Sequence, residues 1–219
     1  MELLMRCVQV FKATFVAALV ALLTCASTGY AGSFHVRIDT SGLGSSPASA
    51  GAPFSLDLQF NDGGVLGNNT VQVTNFTYSG GSATGSAIAT GGAAGDIGST
   101  VTFDNSDVFQ ELHQTFTPGT LLAFDVNLTQ NVDGLTPDSF VVAILDKDLL
   151  NIPTTGMGNS LVQIDINQAT GPLVVNVGSG TGDYVSVNVV PEPTSLTIAG
   201  IGIGAIVGYG WRRRKPAVA

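Results

Sequence analysis

The segment between residues 32 and 189 predicts an all-β fold, an antiparallel β-sandwich of the jelly-roll type. Apolar and polar residues alternate along several short segments, which is typical of strands with one buried face. Clusters rich in Gly, Pro, Asn and Asp separate these segments, as at 61–64 and 131–137. No segment between residues 32 and 189 combines helical periodicity with capping residues. Nine or ten short strands joined by polar turns favour a sandwich.

The strands follow from the period-two pattern of the side chains. The alternating segments are 34–38, 54–60, 71–78, 122–128, 162–166 and 185–189. Within 71–78 the phase slips near Asn75, which predicts a β-bulge. Residues 140–145 are apolar on both faces and predict a central strand. Residues 80–99, rich in Gly, Ala, Ser and Thr, fit either a flat edge hairpin or a mobile loop.

The first 31 residues have the pattern of a secretory signal peptide. Arg6 and Lys12 supply the positive charge, and the apolar stretch 13–26 follows them. Gly29 and Ala31 place small residues before a cleavage point that would leave residue 32 as the new N-terminus. Both cysteines of the chain precede this point, so the exported segment 32–189 contains no thiol and no disulfide.

The C-terminal region 190–215 has three consecutive parts. Pro191, Glu192 and Pro193 form a stiff, extended motif, because each proline fixes its own φ angle and restricts the preceding residue. Residues 195–211 are uncharged and predict a short transmembrane helix. A basic cluster follows this helix and consists of Arg212, Arg213, Arg214 and Lys215. Such a cluster stays in the cytoplasm, so the sandwich is expected on the outer side of the inner membrane. Residues 216–219 form a short tail.

In order, spacing and position these three parts resemble the PEP-CTERM sorting signal. The resemblance implies recognition by an exosortase, a membrane thiol protease-transpeptidase that would cut near Pro193. It also implies transfer of the sandwich to the cell envelope or to extracellular polymer in a bacterium that makes exopolysaccharide.

Three glycines of the predicted helix, Gly200, Gly204 and Gly208, lie four residues apart, which would place them on one helix face. Either this face docks against the processing enzyme, or the glycines reflect composition alone.

The charge of the chain excludes a nucleic-acid-binding protein. The formal net charge is −8, and the segment 32–190 holds only Arg37 and Lys147 against 14 acidic residues. A nucleic-acid interface needs a basic face. An acidic surface instead favours solubility and attracts cations.

The exported segment holds few residues that could carry catalysis. Its two histidines, His35 and His113, fall at polar strand positions and are expected to face solvent. Glu111 is its only glutamate, and no second carboxylate stands out as a partner for glycoside hydrolysis. We therefore expect no cofactor and no enzyme activity.

Two acidic runs are candidates for calcium binding, because calcium prefers several oxygen ligands from loops. Their carboxylates belong to Asp104, Asp107, Asp146 and Asp148. The alternative is that these aspartates accept hydrogen bonds within turns, as Asp and Asn commonly do.

The sequence as a whole predicts an exported, non-enzymatic surface or matrix protein. It would use the secretion machinery, stay briefly in the inner membrane and then be processed. A carbohydrate-binding module for exopolysaccharide is the first alternative and would use exposed aromatics such as Tyr78, Phe109 and Tyr184. A polysaccharide hydrolase using Glu111 and the aspartate runs is the second.

Overall fold

The computed structural model describes residues 31–44, 51–64, 66–132, 135–155, 157–167, 173–179 and 186–191. These residues form thirteen strands and two short 3₁₀ turns, Ser41–Gly44 and Met157–Asn159. The strands are β1 (Ala31–Asp39), β2 (Phe54–Asn61), β3 (Val71–Tyr78), β4 (Ser82–Ala83), β5 (Ile88–Thr90), β6 (Ala93–Gly95), β7 (Val101–Phe103), β8 (Phe109–Thr117), β9 (Leu121–Thr129), β10 (Asp138–Leu145), β11 (Val162–Ile166), β12 (Val174–Val177) and β13 (Ser186–Pro191). The all-β prediction is confirmed.

The strands form two antiparallel sheets. Sheet A has the order β13-β1-β9-β3-β7-β6. Sheet B has the order β12-β11-β10-β2-β8-β4, and β5 also pairs with β8. The predicted central strand is β10, which lies between β11 and β2.

One hydrophobic core joins the two sheets. The inward side chains of both sheets belong to the same cluster of buried residues. Phe103 of sheet A packs between two phenylalanines of sheet B. Its ring centroid lies 6.4 Å from that of Phe60 and 5.9 Å from that of Phe140, both in edge-to-face geometry. Edge-to-face packing is one of the geometries that aromatic rings prefer. The core shared by the two sheets confirms the predicted sandwich.

The predicted bulge lies in β3. The pairing of β3 with β9 shifts between Thr74 and Thr77, and Asn75 has a φ angle of 55°. Asparagine tolerates this left-handed conformation better than most residues. The side chain of Asn75 then reaches β9, where its Nδ2 donates to Asp125 Oδ2 at 2.7 Å.

Residues 80–99 contribute strands to the sheet edges. β4 and β5 pair with β8 of sheet B, and β6 pairs with β7 at the edge of sheet A. The segment therefore lies at the sheet edges, and its strands pair with β8 and β7 instead of forming the predicted hairpin with one another. These two- and three-residue strands, together with β7, raise the number of strands above the predicted nine or ten.

The predicted C-terminal helix and nearly all of the predicted signal peptide lie outside the described residues. Residues 1–30 of the signal peptide 1–31 and all of the helix 195–211 lie outside them. Within the described part of the chain, no helix is long and apolar enough to span a bilayer.

Candidate functional site

The outward face of sheet B carries a polar surface above the core. Alternation along β2 turns Phe54, Leu56, Leu58 and Phe60 inward, and their polar neighbours turn outward. A cavity of about 300 Å³ opens on this outward face. Its lining comes from β2, β10 and β11 and from the segment after β10, and it comprises Gln59, Asn61, Ser139, Val141, Ala143, Asn151, Gly158, Ser160 and Gln163. We call this the sheet B cavity. Its amides and hydroxyls can both donate and accept hydrogen bonds.

A pair of carboxylates, Asp57 and Glu111, lies beside the sheet B cavity. Asp57 is only 1% exposed although it belongs to the outward side of β2. Gln59, which lines the cavity, donates from Nε2 to Asp57 Oδ2 at 2.7 Å. The other carboxylate oxygen, Asp57 Oδ1, is buried and accepts no hydrogen bond from the described residues.

The surroundings of Asp57 oppose its ionisation. Burial, and after it the negative charge of Glu111, raises the pKa of the Asp57 carboxyl from 3.8 to about 7. The hydrogen bond from Gln59 favours the charged form and acts in the opposite direction. A protonated Asp57 can donate one hydrogen bond to Glu111, and this removes the repulsion between two neighbouring charges.

This pair was not predicted from the sequence. Glu111 stands opposite Gln59 in the antiparallel register of β2 and β8, and Asp57 stands opposite His113. The only signal in the sequence is that Asp57 and Glu111 occupy polar positions of alternating strands. The register that makes them neighbours depends on strand pairing across more than fifty residues.

Of the aromatic candidates for carbohydrate binding, the structure describes Tyr78 and Phe109, which lie in different sheets. The Tyr78 hydroxyl donates to the carbonyl oxygen of Ile97 at 2.9 Å, and its ring lies 6.4 Å from that of Phe116. Burial, and after it the charge of Asp96, raises the pKa of Tyr78. Phe109 is 43% exposed at the start of β8, while Tyr184 lies outside the described residues. None of the described residues that line the sheet B cavity is aromatic.

The first predicted calcium run follows β7. Asp104 Oδ1 accepts from the backbone N–H of Ser106 at 3.0 Å, and hydrogen bonds from Ser106 lower the pKa of Asp104. Asp107 Oδ1 accepts from the N–H of Val108 at 2.8 Å. Both carboxylates therefore serve as acceptors within a turn.

The second predicted run follows β10. Asp146 Oδ1 accepts from the N–H groups of Asp148 and Leu150, at 2.9 and 3.0 Å, and Lys147 pairs with Asp148. Asn105, which lies within the first run, donates to Asp138, the first residue of β10. The second run follows Leu145, the last residue of β10, so the two runs lie at opposite ends of the sandwich. In the described ranges, no three His, Cys, Asp or Glu side chains are grouped so as to hold a metal ion.

One histidine forms a specific contact. His35 Nδ1 lies 2.6 Å from Asp125 Oδ1, across the β1–β9 register. Burial alone would raise the pKa of Asp125, but hydrogen bonds from His35 and Asn75 outweigh it and lower this pKa. His35 keeps 37% of its side chain exposed, so the pair belongs to the sandwich surface.

The C-terminal motif begins inside a strand. β13 pairs with β1 at the edge of sheet A, in a register that places Val189 opposite Val36 and Pro191 opposite Phe34. An edge strand tolerates proline, which has no N–H to donate. Pro191 is the last residue of β13. Outside the described residues lie the rest of the motif, the glycines and the basic cluster, namely Glu192, Pro193, Gly200, Gly204, Gly208, Arg212, Arg213, Arg214 and Lys215.

A family model of the PEP-CTERM protein-sorting motif matches residues 189–215. The chain carries a PEP-CTERM sorting motif. This finding confirms the resemblance seen in the sequence. No curated protein matches the chain, and no solved structure matches it. Because the matched segment starts at Val189, the PEP-CTERM motif and the sandwich share the last three residues of β13.

Proposed function

We propose that the chain is an exported, non-enzymatic surface or matrix protein that an exosortase processes at its PEP-CTERM motif. The match over residues 189–215 carries this proposal. Export would begin with the signal peptide 1–31 and the secretion machinery. The helix 195–211 would then hold the sandwich at the outer face of the inner membrane, with the basic cluster 212–215 in the cytoplasm. Processing would move the sandwich to the envelope or the extracellular polymer.

The direct junction between β13 and the motif supports this order of events. A fully extended chain spans at most about 3.3–3.6 Å per residue. The four steps from Pro191 to Ser195 therefore reach no farther than about 14 Å. The sandwich would lie directly against the membrane surface, with the Pro-Glu-Pro motif as the accessible segment between the two.

To test this proposal, the full chain is expressed in a host that contains an exosortase, and the C-terminus of the chain is identified by mass spectrometry. Glu192→Gln removes the charged residue of the motif and is expected to abolish processing, so that intact chains accumulate in the membrane fraction. Glu111→Gln also removes one glutamate charge, but from the sandwich, and is expected to be processed like the wild type. Normal processing of Glu192→Gln would contradict the proposal.

Carbohydrate binding is a second candidate function, favoured by the sheet B cavity. β1, β2 and β3 fall alternately in sheets A, B and A, and the order β1-β9-β3-β7 fits one sheet of a jelly roll. Jelly rolls are common in lectin domains. The amide-rich lining of the cavity suits the hydroxyl groups of a saccharide in the exopolysaccharide.

The test for carbohydrate binding is sedimentation with exopolysaccharide purified from the native host. Gln163→Ala removes an amide from the cavity and is expected to weaken binding about tenfold, since a lost hydrogen bond leaves a buried partner unpaired. Gln72→Ala removes an exposed amide from β3 of sheet A and should leave binding unchanged. Equal binding by both variants would refute this function for the cavity.

A polysaccharide hydrolase is less well supported by the carboxylate geometry. Retaining glycosidases separate their two carboxyl groups by about 5–5.5 Å, and inverting ones by about 6.5–9.5 Å. Asp57 and Glu111 are instead close enough to share a hydrogen bond. This spacing leaves no room for a glycosidic bond between them.

A further inference from the structure

Exposed apolar side chains lie together at the end of the sandwich where β13 finishes. Leu66 belongs to the loop after β2, Val108 to the loop after β7, and Phe109 begins β8 beside it. Val132 and Leu135 belong to the loop after β9, and Leu135 is fully exposed. We call these five side chains the apolar tip. Apolar side chains that several loops expose at one place mark a contact surface for a membrane or another molecule.

Hydrogen bonds connect the three loops of the apolar tip. The N–H of Gly67 donates to the backbone oxygen of Asn105 at 2.6 Å, and Asn105 Nδ2 donates to Asn68 Oδ1 at 2.7 Å. These two bonds join the loop after β2 to the loop after β7. Asn131 Nδ2 donates to the backbone oxygen of Asn68 at 2.5 Å, which joins the loop after β9 to the same place. The tip is therefore one connected surface of the sandwich.

Both predicted membrane segments are connected to the sandwich at this same end. β1 begins at Ala31, the last residue of the predicted signal peptide, and Ala31 stands opposite Thr129 at the end of β9. β13 ends at Pro191, which stands opposite Phe34 of β1 and precedes the predicted helix 195–211. The end of the sandwich that carries the apolar tip is therefore the end nearest the bilayer, first during export and then during anchoring.

The length of chain after β13 limits the distance between the apolar tip and the bilayer. From Phe34, which is level with Pro191, β1 continues for three residues to Ala31, or about 10 Å at about 3.4 Å per residue. The four steps from Pro191 to Ser195 span at most about 14 Å. With the strands perpendicular to the membrane, the start of β1 then lies within about 4 Å of the level of Ser195. This distance is smaller than the headgroup layer, which is about 5–7 Å thick on each side of a bilayer.

We propose that the apolar tip inserts into the interfacial layer of the phospholipid bilayer that anchors the chain. This inference rests on the proposed anchoring by the helix 195–211. Insertion removes the leucine, valine and phenylalanine side chains of the tip from water, which is favourable in proportion to the apolar area that is buried. The loop after β7 also exposes Asp104 and Asp107, which repel anionic lipids. The contact is therefore with zwitterionic phospholipid and depends on apolar burial, not on charge.

The test places the full chain in phosphatidylcholine nanodiscs, one chain per disc, with a fluorescent label on a single cysteine. Cys7 and Cys25 are first changed to serine. Leu135→Cys reports on the apolar tip, and Leu150→Cys reports on an exposed leucine at the opposite end of the sandwich. The label at 135 is expected to shift its emission to shorter wavelengths and to be quenched by nitroxide-labelled lipid. The label at 150 is expected to keep the emission of a label in water and to be quenched by iodide.

The outcomes separate this inference from the anchoring on which it rests. A chain that does not enter the nanodiscs contradicts the anchoring and the inference together. A chain that enters them but leaves the labels at 135 and 150 equally accessible to iodide overturns the inference alone. Shielding at 135 that appears only in vesicles holding many chains assigns the tip to a contact between copies and also overturns it. Leu66→Cys tests a second loop of the tip and should be shielded as Leu135→Cys is, even where a label disturbs one loop.

Discussion

Replacement of Asp57 by asparagine should change how the stability of the sandwich depends on pH. Asp57 is buried beside Glu111, and its pKa rises from 3.8 to about 7 because of burial and the neighbouring charge. Asparagine has nearly the same shape and cannot ionise. It can still accept the hydrogen bond that Gln59 donates to Asp57.

The direction of the effect follows from proton linkage. Between about pH 4 and pH 7 the unfolded chain has released the Asp57 proton while the folded chain keeps it. Because the native state binds more protons in this window, the free energy of unfolding falls as pH rises. The slope is about 1.4 kcal/mol per pH unit, and the total loss between pH 4 and pH 8 is about 4 kcal/mol.

The assay is urea unfolding of the wild type and of Asp57→Asn at about pH 4.5, 6 and 8. The variant should lose less stability than the wild type across this range, and at pH 8 it should be the more stable protein. Asp165→Asn is the matched control. Gln163 donates to Asp165 at 2.8 Å, two residues along the strand, as Gln59 does to Asp57. The residues opposite Asp165 on the neighbouring strands are Ser139 and Val174, and both are uncharged. Parallel curves for the wild type and Asp57→Asn would refute the reasoning.

Two further predictions concern the core and the backbone. Phe140→Ala should lower the free energy of unfolding by about 3–5 kcal/mol in urea unfolding, because Phe140 is fully buried between the sheets. Phe109→Ala should cost about 1 kcal/mol or less, since Phe109 is 43% exposed, and equal losses would contradict the placement of the core. Gly95→Ala should cost about 3 kcal/mol or more in the same assay, because φ is +112° and a Cβ would lie 2.0 Å from the Thr100 oxygen. Gly80→Ala, with φ of +84° but open space, should cost about 1 kcal/mol, and a larger loss there than at Gly95 would contradict this account.

The strands of the sandwich could be predicted because their signal is local. Alternation along 54–60 and 122–128 fixes which side chains face the core, and β2 and β9 have that orientation. The slip at Asn75 is also visible in the sequence, because a bulge reverses the phase of the pattern.

Residues 80–99 show the limit of such local signals. This segment has no aromatic residue, and Gly, Ala and Ser, which are weak strand formers, outnumber its β-branched residues. β4 and β5 form because β8 offers free backbone groups at its edge, and β6 forms in the same way on β7. Such strands depend on tertiary pairing and cannot be read from propensity.

The candidate sites depend on contacts between distant parts of the chain. Asp57 and Glu111 become neighbours only through the β2–β8 register, and Asn105 meets Asp138 only where two loops and a strand start converge. The predicted calcium ligands lie within contiguous acidic runs, because spacing along the chain is all that a sequence shows. The PEP-CTERM motif could be predicted in full, since its parts are adjacent in the sequence.

Mass spectrometry of the C-terminus of the extracellular form tests the central claim most directly. We expect a chain that ends near Pro193 and lacks the basic cluster 212–215. An extracellular chain that still ends at Ala219 would contradict processing at the PEP-CTERM motif.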